Sequence, residues 1–462
     1  MINSFSWTLF STVFGNVIQI ISLLLIAKVV GPEVFGVFSF ALVLYGFVLI
    51  FQDVGIGAFI IKEQNISDCQ VRAASHLAII FGVITFFVFI IVIQFFNKGD
   101  SFQYICYAIS LNFPILGLSI VNKAMLEKIG DFSKIGKLEA CSSAASGIVS
   151  LISLYYISGV FSLVALGLVK SIINTLGYVY LYRINIIKRA DYSRVGDSIK
   201  FSKGVFGFNF FNYFSRNLDK YLISVKLGDY WLGGYSLAYR FLQYPLQLIS
   251  QVVSRVMFPK LSKVIGLKEF DDLIIKTICL LVVAIYPFLA LSAAAADNVV
   301  LFFFNHEWLY ISEILFFFSI CATVQVFGVI CGPVFLAKGR TKEMFYVGLF
   351  NSIVYALSFY IGSLQNVVVL TEYYTYANFL VFPLTCYVLL KFTGIKLYEL
   401  IWLVIVSSFI FVTSYIGNRY IWLDFDGFWF TALKALIFTT LLSVAFFISY
   451  KRWLKFNENI SF

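Results

Sequence analysis

Charge is scarce in this sequence. Only 13% of the 462 residues are Asp, Glu, Lys or Arg, about half the share expected of a soluble domain. With 61% apolar residues and a mean hydropathy of +0.91, this excludes the string of about three soluble domains that the length alone would suggest. Histidine is scarcer still: His76 and His306 lie far apart and suggest no catalytic set. The seven cysteines (69, 106, 141, 279, 321, 331 and 386) form no CxxC and no Cys/His grouping, which argues against a metal site and against disulfides. A phosphate loop of the GxxxxGKS/T type is missing, so direct use of ATP is not expected. No repeat of 20 to 50 residues suggests a solenoid, and 53 Phe, 28 Tyr and 7 Trp are too many aromatics for a disordered chain.

What the sequence does have is a succession of apolar runs. A helix needs about 20 apolar residues to cross a bilayer, because in lipid its backbone groups can only be satisfied internally. Residues 77–97, 277–296 and 314–337 contain no charged side chain, and the longer uncharged runs 140–169 and 344–371 are divided by turn-like breaks at Ser158-Gly159 and Gly362-Ser363. The pattern predicts an all-α integral membrane protein with about fourteen transmembrane helices. These spans 1 to 14 are centred near residues 18, 48, 87, 113, 148, 172, 214, 245, 285, 323, 354, 380, 407 and 440.

Basic residues test the partition, since they accumulate in cytoplasmic loops. Segments after even-numbered spans, with the C-terminal tail, hold 23 of the 34 Lys and Arg, whereas segments after odd-numbered spans hold only Lys28, Lys98, Lys226 and Arg419. The alternation never inverts, which predicts both termini in the cytoplasm. The net charge of +10 is therefore read as an orientation signal and not as a nucleic-acid partner; the one dense basic loop is 183–203. Residues 1–6 carry no basic side chain and no small-residue cleavage site follows, so span 1 is expected to be retained.

Residues 30–41 resemble residues 227–238 at an offset of 197, and both segments leave an odd span to enter an even one. Phe95-Phe96-Asn97 recurs as Phe303-Phe304-Asn305, and Lys128-Ile129-Gly130-Asp131 resembles Lys338-Gly339-Arg340. The implied repeat is six spans, so both copies cross the membrane in the same direction. Parallel repeats of this kind are a transporter architecture with the substrate site between the halves. The expected organisation is an N-lobe of spans 1–6 (1–183), a basic cytoplasmic loop (184–202), a C-lobe of spans 7–12 (203–391), and spans 13–14 with the tail (392–462).

A charge at mid-bilayer costs about 2.5–3.5 kcal/mol, so span 7, with Arg216, Asp219 and Lys220, would cost of order 8 kcal/mol if it faced lipid. Asn209, Asn212 or Tyr213, Arg216 and Lys220 recur every three or four residues, as do Arg240, Tyr244, Gln247, Gln251 and Arg255 in span 8. Span 1 carries a matching polar stripe of Thr8, Ser11 or Thr12, Gly15, Gln19 and Ser22, and the repeat offset sets Gln19 opposite Arg216. These faces predict a water-accessible cationic cavity in which Gln19, Lys170, Arg216, Lys220, Arg240, Gln247 and Arg255 hold an anionic headgroup. Arginine suits a pyrophosphate because its planar fork donates two bonds at once. The alternative is that these groups bond each other between packed helices, with Arg255 snorkelling to the interface. Lys170 fits a cavity or an ion pair equally well. Asp219 is read as a structural partner for a cation, and Asp53, before Gly55 and Gly57, as an inner-gate or capping residue. Pro114, Pro245, Pro287, Pro333 and Pro383 permit kinks.

Residues 24–63, with Gly31-Pro32-Glu33, Gly36 and Asp53-Val54-Gly55-Ile56-Gly57, resemble the opening of bacterial polysaccharide flippases of the multidrug/oligosaccharidyl-lipid/polysaccharide exporter superfamily. Arg216-Asn217-Leu218-Asp219-Lys220, the run Gly233 to Arg240, Pro245, the run Met257 to Ser262 and Glu307-Trp308 are similar to the same family. The resemblance implies alternating-access export of undecaprenyl-pyrophosphate-linked glycan across a bacterial inner membrane, for O-antigen, capsule or exopolysaccharide. It implies the bilayer and other polysaccharide-assembly membrane proteins as partners, no resident cofactor, and either a proton or a sodium gradient as the energy source. From the related lipid II flippases it also implies that spans 13 and 14 border a groove for the polyprenyl tail. Two rivals remain. A drug exporter of the same superfamily would be expected to place acidic groups in the cavity, and span 1 has none. A membrane glycosyltransferase or polymerase needs carboxylates on a sizeable outer loop, and only Asp424-Phe425-Asp426 in a short turn resembles that.

Overall fold

The computed structural model describes residues 2–445 apart from 53–55, 64–65, 97, 158, 194, 424–428 and 443, with side chains described except at 2–13, 16, 58, 62, 195–205, 207–209, 244–245, 248, 251, 255 and 423. The described residues are helical with no strand among them. Among the described residues, nine helical stretches are long and apolar enough to cross a membrane, or ten if one bent pair is a single span. All fourteen span centres expected from the sequence fall inside helices. The chain groups into two compact units, Met1–Gly233 and Gly234–Phe462.

In the first unit, spans 1 and 2 run together as α1 (Ile2–Gln52), broken at Gly31, whose φ of 80° and ψ of 168° suit glycine alone. Pro32 then opens the renewed helix, where its missing N–H leaves no bond unmade. There follow α2 (Ile56–Lys62) and α3 (Asp68–Ile93), the latter started by a capping box between Ser67 and Gln70. Span 4 is in three pieces, α4 (Asp100–Ser110), α5 (Asn112–Gly117) and α6 (Ile120–Lys128), with a 45° bend before α6. Pro114 lies in the middle piece and cannot donate to the preceding turn.

Helix α7 (Phe132–Tyr156) packs most extensively on α8 (Gly159–Leu181) and on α1. Its buried face is a ladder of serines. Ser142, Ser146, Ser150 and Ser153 each donate to the carbonyl three residues earlier, so their hydroxyls are satisfied within the helix. Small side chains let the two backbones approach: a Cβ on Gly15 would lie 2.9 Å from Ser143 Oγ, and one on Gly147 2.8 Å from Ile18 Cγ2 and 2.9 Å from Ser22 Oγ. The stripe expected on span 1 to face an open space therefore packs, at Gly15 and Ser22, against α7. The segment after α8 folds back on the start of α3, where the His76 ring meets Tyr192 Oη at 2.7 Å and the Ile186 carbonyl at 2.8 Å, and Arg72 donates to the Arg189 carbonyl.

Helix α9 (Val195–Leu222), which the repeat would assign to the second lobe, groups with the first unit and packs on α1 and α2. A π-helical turn, Ile223–Leu227, leads to Gly228 and α10 (Asp229–Lys263). Neither α9 nor α10 is among the nine apolar stretches, because polar and charged residues interrupt both.

The second unit contains α11 (Lys268–Ala294), α12 (Ala296–Phe303), α13 (Ile311–Gly328), α14 (Cys331–Ala337), α15 (Thr341–Gly362), α16 (Val367–Phe392), α17 (Leu397–Leu423) and α18 (Trp429–Leu442). Asn366 caps α16 by accepting from the Val369 N–H. Span 13, as α17, packs along α11, and Asn418 bonds Thr439 between α17 and α18. The outer faces carry large apolar side chains such as Phe87, Ile91, Ile353 and Phe409 in the open, a pattern that suits lipid.

The segments matched in sequence also share backbone geometry. Gly228 has φ 103° and ψ 165°, close to its counterpart Gly31, and each precedes an even span. Gly130 and Gly339 both have positive φ. Around them the same pair of bonds closes the helix: Gly130 to Glu127 and Asp131 to Leu126, then Gly339 to Leu336 and Arg340 to Phe335. Both are Schellman caps, and they lie in the two segments that match in sequence.

Candidate functional site

The charged helix of the first unit is α9. Arg216 is exposed and, among the described residues, has no hydrogen-bond or ion-pair partner. Asp219 is only 3% exposed, and its carboxylate accepts the Lys220 N–H at 2.8 Å. Lys220 is half-buried, its Nζ lying 3.4 Å from Asn217 Oδ1, while Asn217 donates to the Tyr213 carbonyl. Gln19 on α1 is half-buried.

Another face of α9 is apolar and aromatic. Tyr213, Phe214, Asn217, Leu218 and Tyr221 recur at the spacing of a single helix face and line a cavity of about 330 Å³. Phe47 of α1 and Phe96, just past α3, close it from the other sides. Phe47 stands 5.5 Å from Phe214 between ring centroids, and the Tyr213 hydroxyl donates to the Val43 carbonyl. Tyr213, one of two residues read as part of the polar stripe, thus belongs to the aromatic face.

The turn after α9 is clamped. Lys98 Nζ sits 2.7 and 2.8 Å from the two Asp229 carboxylate oxygens and 2.8 Å from Ser224 Oγ, and it lies over the Phe40 ring at 4.6 Å. Ser224 in turn donates to Asp229. Gly36 and Gly233, equivalent positions of the repeat, are each pressed against the other turn. A Cβ on Gly36 would overlap the Asp229 carbonyl, and one on Gly233 the Pro32 carbonyl.

Lys170 is half-buried on α8, with Glu139 and Lys123 as the charges acting on it. Those two are themselves paired at 3.0 Å, and the Tyr178 hydroxyl donates to the same Glu139 oxygen at 2.8 Å. Sequence reading missed this group, because Lys123 and Glu139 sit on different helices and no periodicity joins them.

In the second unit, Arg240 is half-buried, and Gln247 donates to Tyr239 Oη at 3.0 Å. A polar group not anticipated from the sequence lies deeper: Gln325 donates to Tyr374 Oη at 3.0 Å and to Asn378 Oδ1 at 3.1 Å, and Tyr355 donates to the same oxygen. The Arg255 side chain, Asp53, Asp424 and Asp426 lie outside the described residues. Among the described residues no group of three or more His, Cys, Asp or Glu could hold a metal ion.

The sequence profile of the polysaccharide biosynthesis protein family matches residues 25–313, more than half of the chain and the whole of α3 to α12. The chain belongs to that family. Similar proteins include the lipopolysaccharide biosynthesis protein WzxC of Escherichia coli (strain K12), 23% identical over 372 residues, with 78% of this chain and 75% of that one covered. The teichuronic acid biosynthesis protein TuaB of Bacillus subtilis (strain 168) is 25% identical over 390 residues, covering 81% and 80%. In fold, this family member is similar to the lipid II flippase MurJ in an inward closed conformation, with a TM-score of 0.76 at 17% identity over 96% of this chain and 98% of that one. The family member is therefore a multi-pass, all-α membrane protein with a flippase-type fold.

Proposed function

We propose that the chain is a flippase that moves a polyprenyl-pyrophosphate-linked oligosaccharide from the cytoplasmic to the outer leaflet of a bacterial inner membrane, for surface or exported polysaccharide. The observation that carries this reading is Arg216: an exposed guanidinium, without a partner among the described residues, on a helix flanked by membrane spans. A cation kept in such a place is costly and needs an anionic ligand or water to justify it. A diphosphate supplies two charged oxygens to one guanidinium. Family membership and relatives named for lipopolysaccharide and teichuronic acid biosynthesis support a glycan cargo.

In this reading Arg216, Lys220, Arg240 and Arg255 take the diphosphate, with Gln19, Gln247 and Lys170 as polar contacts, and Asp53 and Asp219 serve structure or gating. The repeat lobes 1–183 and 203–391, joined by the basic loop 184–202, exchange access between the two leaflets, driven by a proton or sodium gradient. Residues 392–462 supply spans 13 and 14 and a cytoplasmic tail, and both termini lie in the cytoplasm. Other membrane proteins of polysaccharide assembly supply and consume the glycan.

Replacing both Arg216 and Arg240 with Ala should stop glycan export while the protein still reaches the membrane. Wild-type export by that variant would overturn the assignment. Single cysteines placed in 183–203 should resist labelling from outside intact cells; ready labelling there would reverse the orientation.

A further inference from the structure

We propose that the aromatic slot between α1, the end of α3 and α9 binds a stretch of the isoprenoid chain of the transported lipid. The inference rests on the lipid-linked substrate proposed above and adds where its tail is held. It differs from the groove beside α17 and α18 that the resemblance to lipid II flippases implies.

Three observations favour an isoprenoid. First, the slot is a formed cavity of about 330 Å³ with no charged side chain in its lining and Asn217 as the one amide. Aromatic rings supply much of the wall, and Phe47 is held by contacts with Phe51, Phe210 and Phe214. Second, the α9 lining from Tyr213 to Tyr221 spans about 12 Å of helix rise, so the slot runs along the helix. Third, Arg216 and Lys220 stand on another face of the same helix, at a spacing of four. One amphiphile could thus present its diphosphate to the cations and its chain to the rings.

The chemistry of the chain decides between an isoprenoid and an ordinary phospholipid tail. Each isoprene repeat contains a double bond that cannot rotate, so such a chain loses less conformational freedom when it is held than a saturated one does. A slot whose walls are packed rings favours the stiffer and methyl-branched occupant.

The test uses the full-length protein in detergent, illuminated with a polyprenyl diphosphate that carries a diazirine in its chain. Mapped peptides should show label on 43–47, 92–96 and 213–221, lowered about tenfold by excess undecaprenyl diphosphate and unchanged by excess phosphatidylethanolamine. Leu218→Trp, which fills the slot, should remove most of that label; if the variant fails to fold, the wild-type map still decides. Label that gathers on α17 and α18 and yields to undecaprenyl diphosphate would overturn the slot while leaving the substrate reading intact. Slot label displaced equally by the phospholipid would also overturn it, since the slot would then hold ordinary acyl chain. Label no different from that of a diazirine-bearing phosphatidylcholine, and insensitive to undecaprenyl diphosphate everywhere, would overturn both.

Discussion

Helices α7 and α9 both carry many polar residues for membrane helices, and they use them in opposite ways. In α7 the serines return their hydroxyls to their own backbone, and the small side chains let α1 approach. In α9 the charged groups divide. Arg216 reaches no partner among the described residues, while Asp219 is buried against the backbone of Lys220. Polar content alone therefore does not mark a site in a membrane protein. What marks it is a polar group that the helix and its neighbours do not satisfy.

The sharpest way to break this contrast is the double change Arg216→Ala and Arg240→Ala. Each charge-assisted contact is worth about 1.5–3 kcal/mol, so glycan export should fall by roughly a hundredfold or more while the protein still reaches the membrane. Gly147→Val should do the reverse. Overpacking the α1–α7 contact should cost up to about 3 kcal/mol, read as a lower thermal midpoint and less protein in the membrane. Asp229→Asn separates a satisfied charge from an unsatisfied one. Losing the Lys98 ion pair, whose partners are 17% and 14% exposed, should lower stability by about 2 kcal/mol, and a Lys98/Asp229 double-mutant cycle should recover most of it as coupling. Ser146→Ala and Ser150→Ala should change stability by no more than about 0.5 kcal/mol, since each removes a hydroxyl together with a bond made inside its own helix. A large loss at either serine would mean that α7 is also a site.

The spans were legible in the sequence because the bilayer imposes a length and a composition that few other structures share. The weak matches that pair Gly31 with Gly228 and Gly130 with Gly339 were legible, and the members of each pair proved to share backbone geometry. The polar stripe of span 1 was seen correctly as a stripe. Its destination at Gly15 and Ser22 was not, because helical periodicity tells which residues share a face and never what that face meets. Lys123, Glu139 and Tyr178 come together from three helices, so no spacing could announce them. The aromatic slot was hidden for the opposite reason: among 53 Phe and 28 Tyr, the few that leave a cavity look like all the others.

The reciprocal contact of Gly36 with the Asp229 turn and of Gly233 with Pro32 has a consequence for how such a chain can change over generations. A turn is ordinarily free to drift where its neighbours can change in step with it. Here that freedom ends: a side chain acquired on either glycine strikes the backbone of the other turn, and no substitution at the partner can remove a carbonyl. The two turns can be altered only by moving both at once.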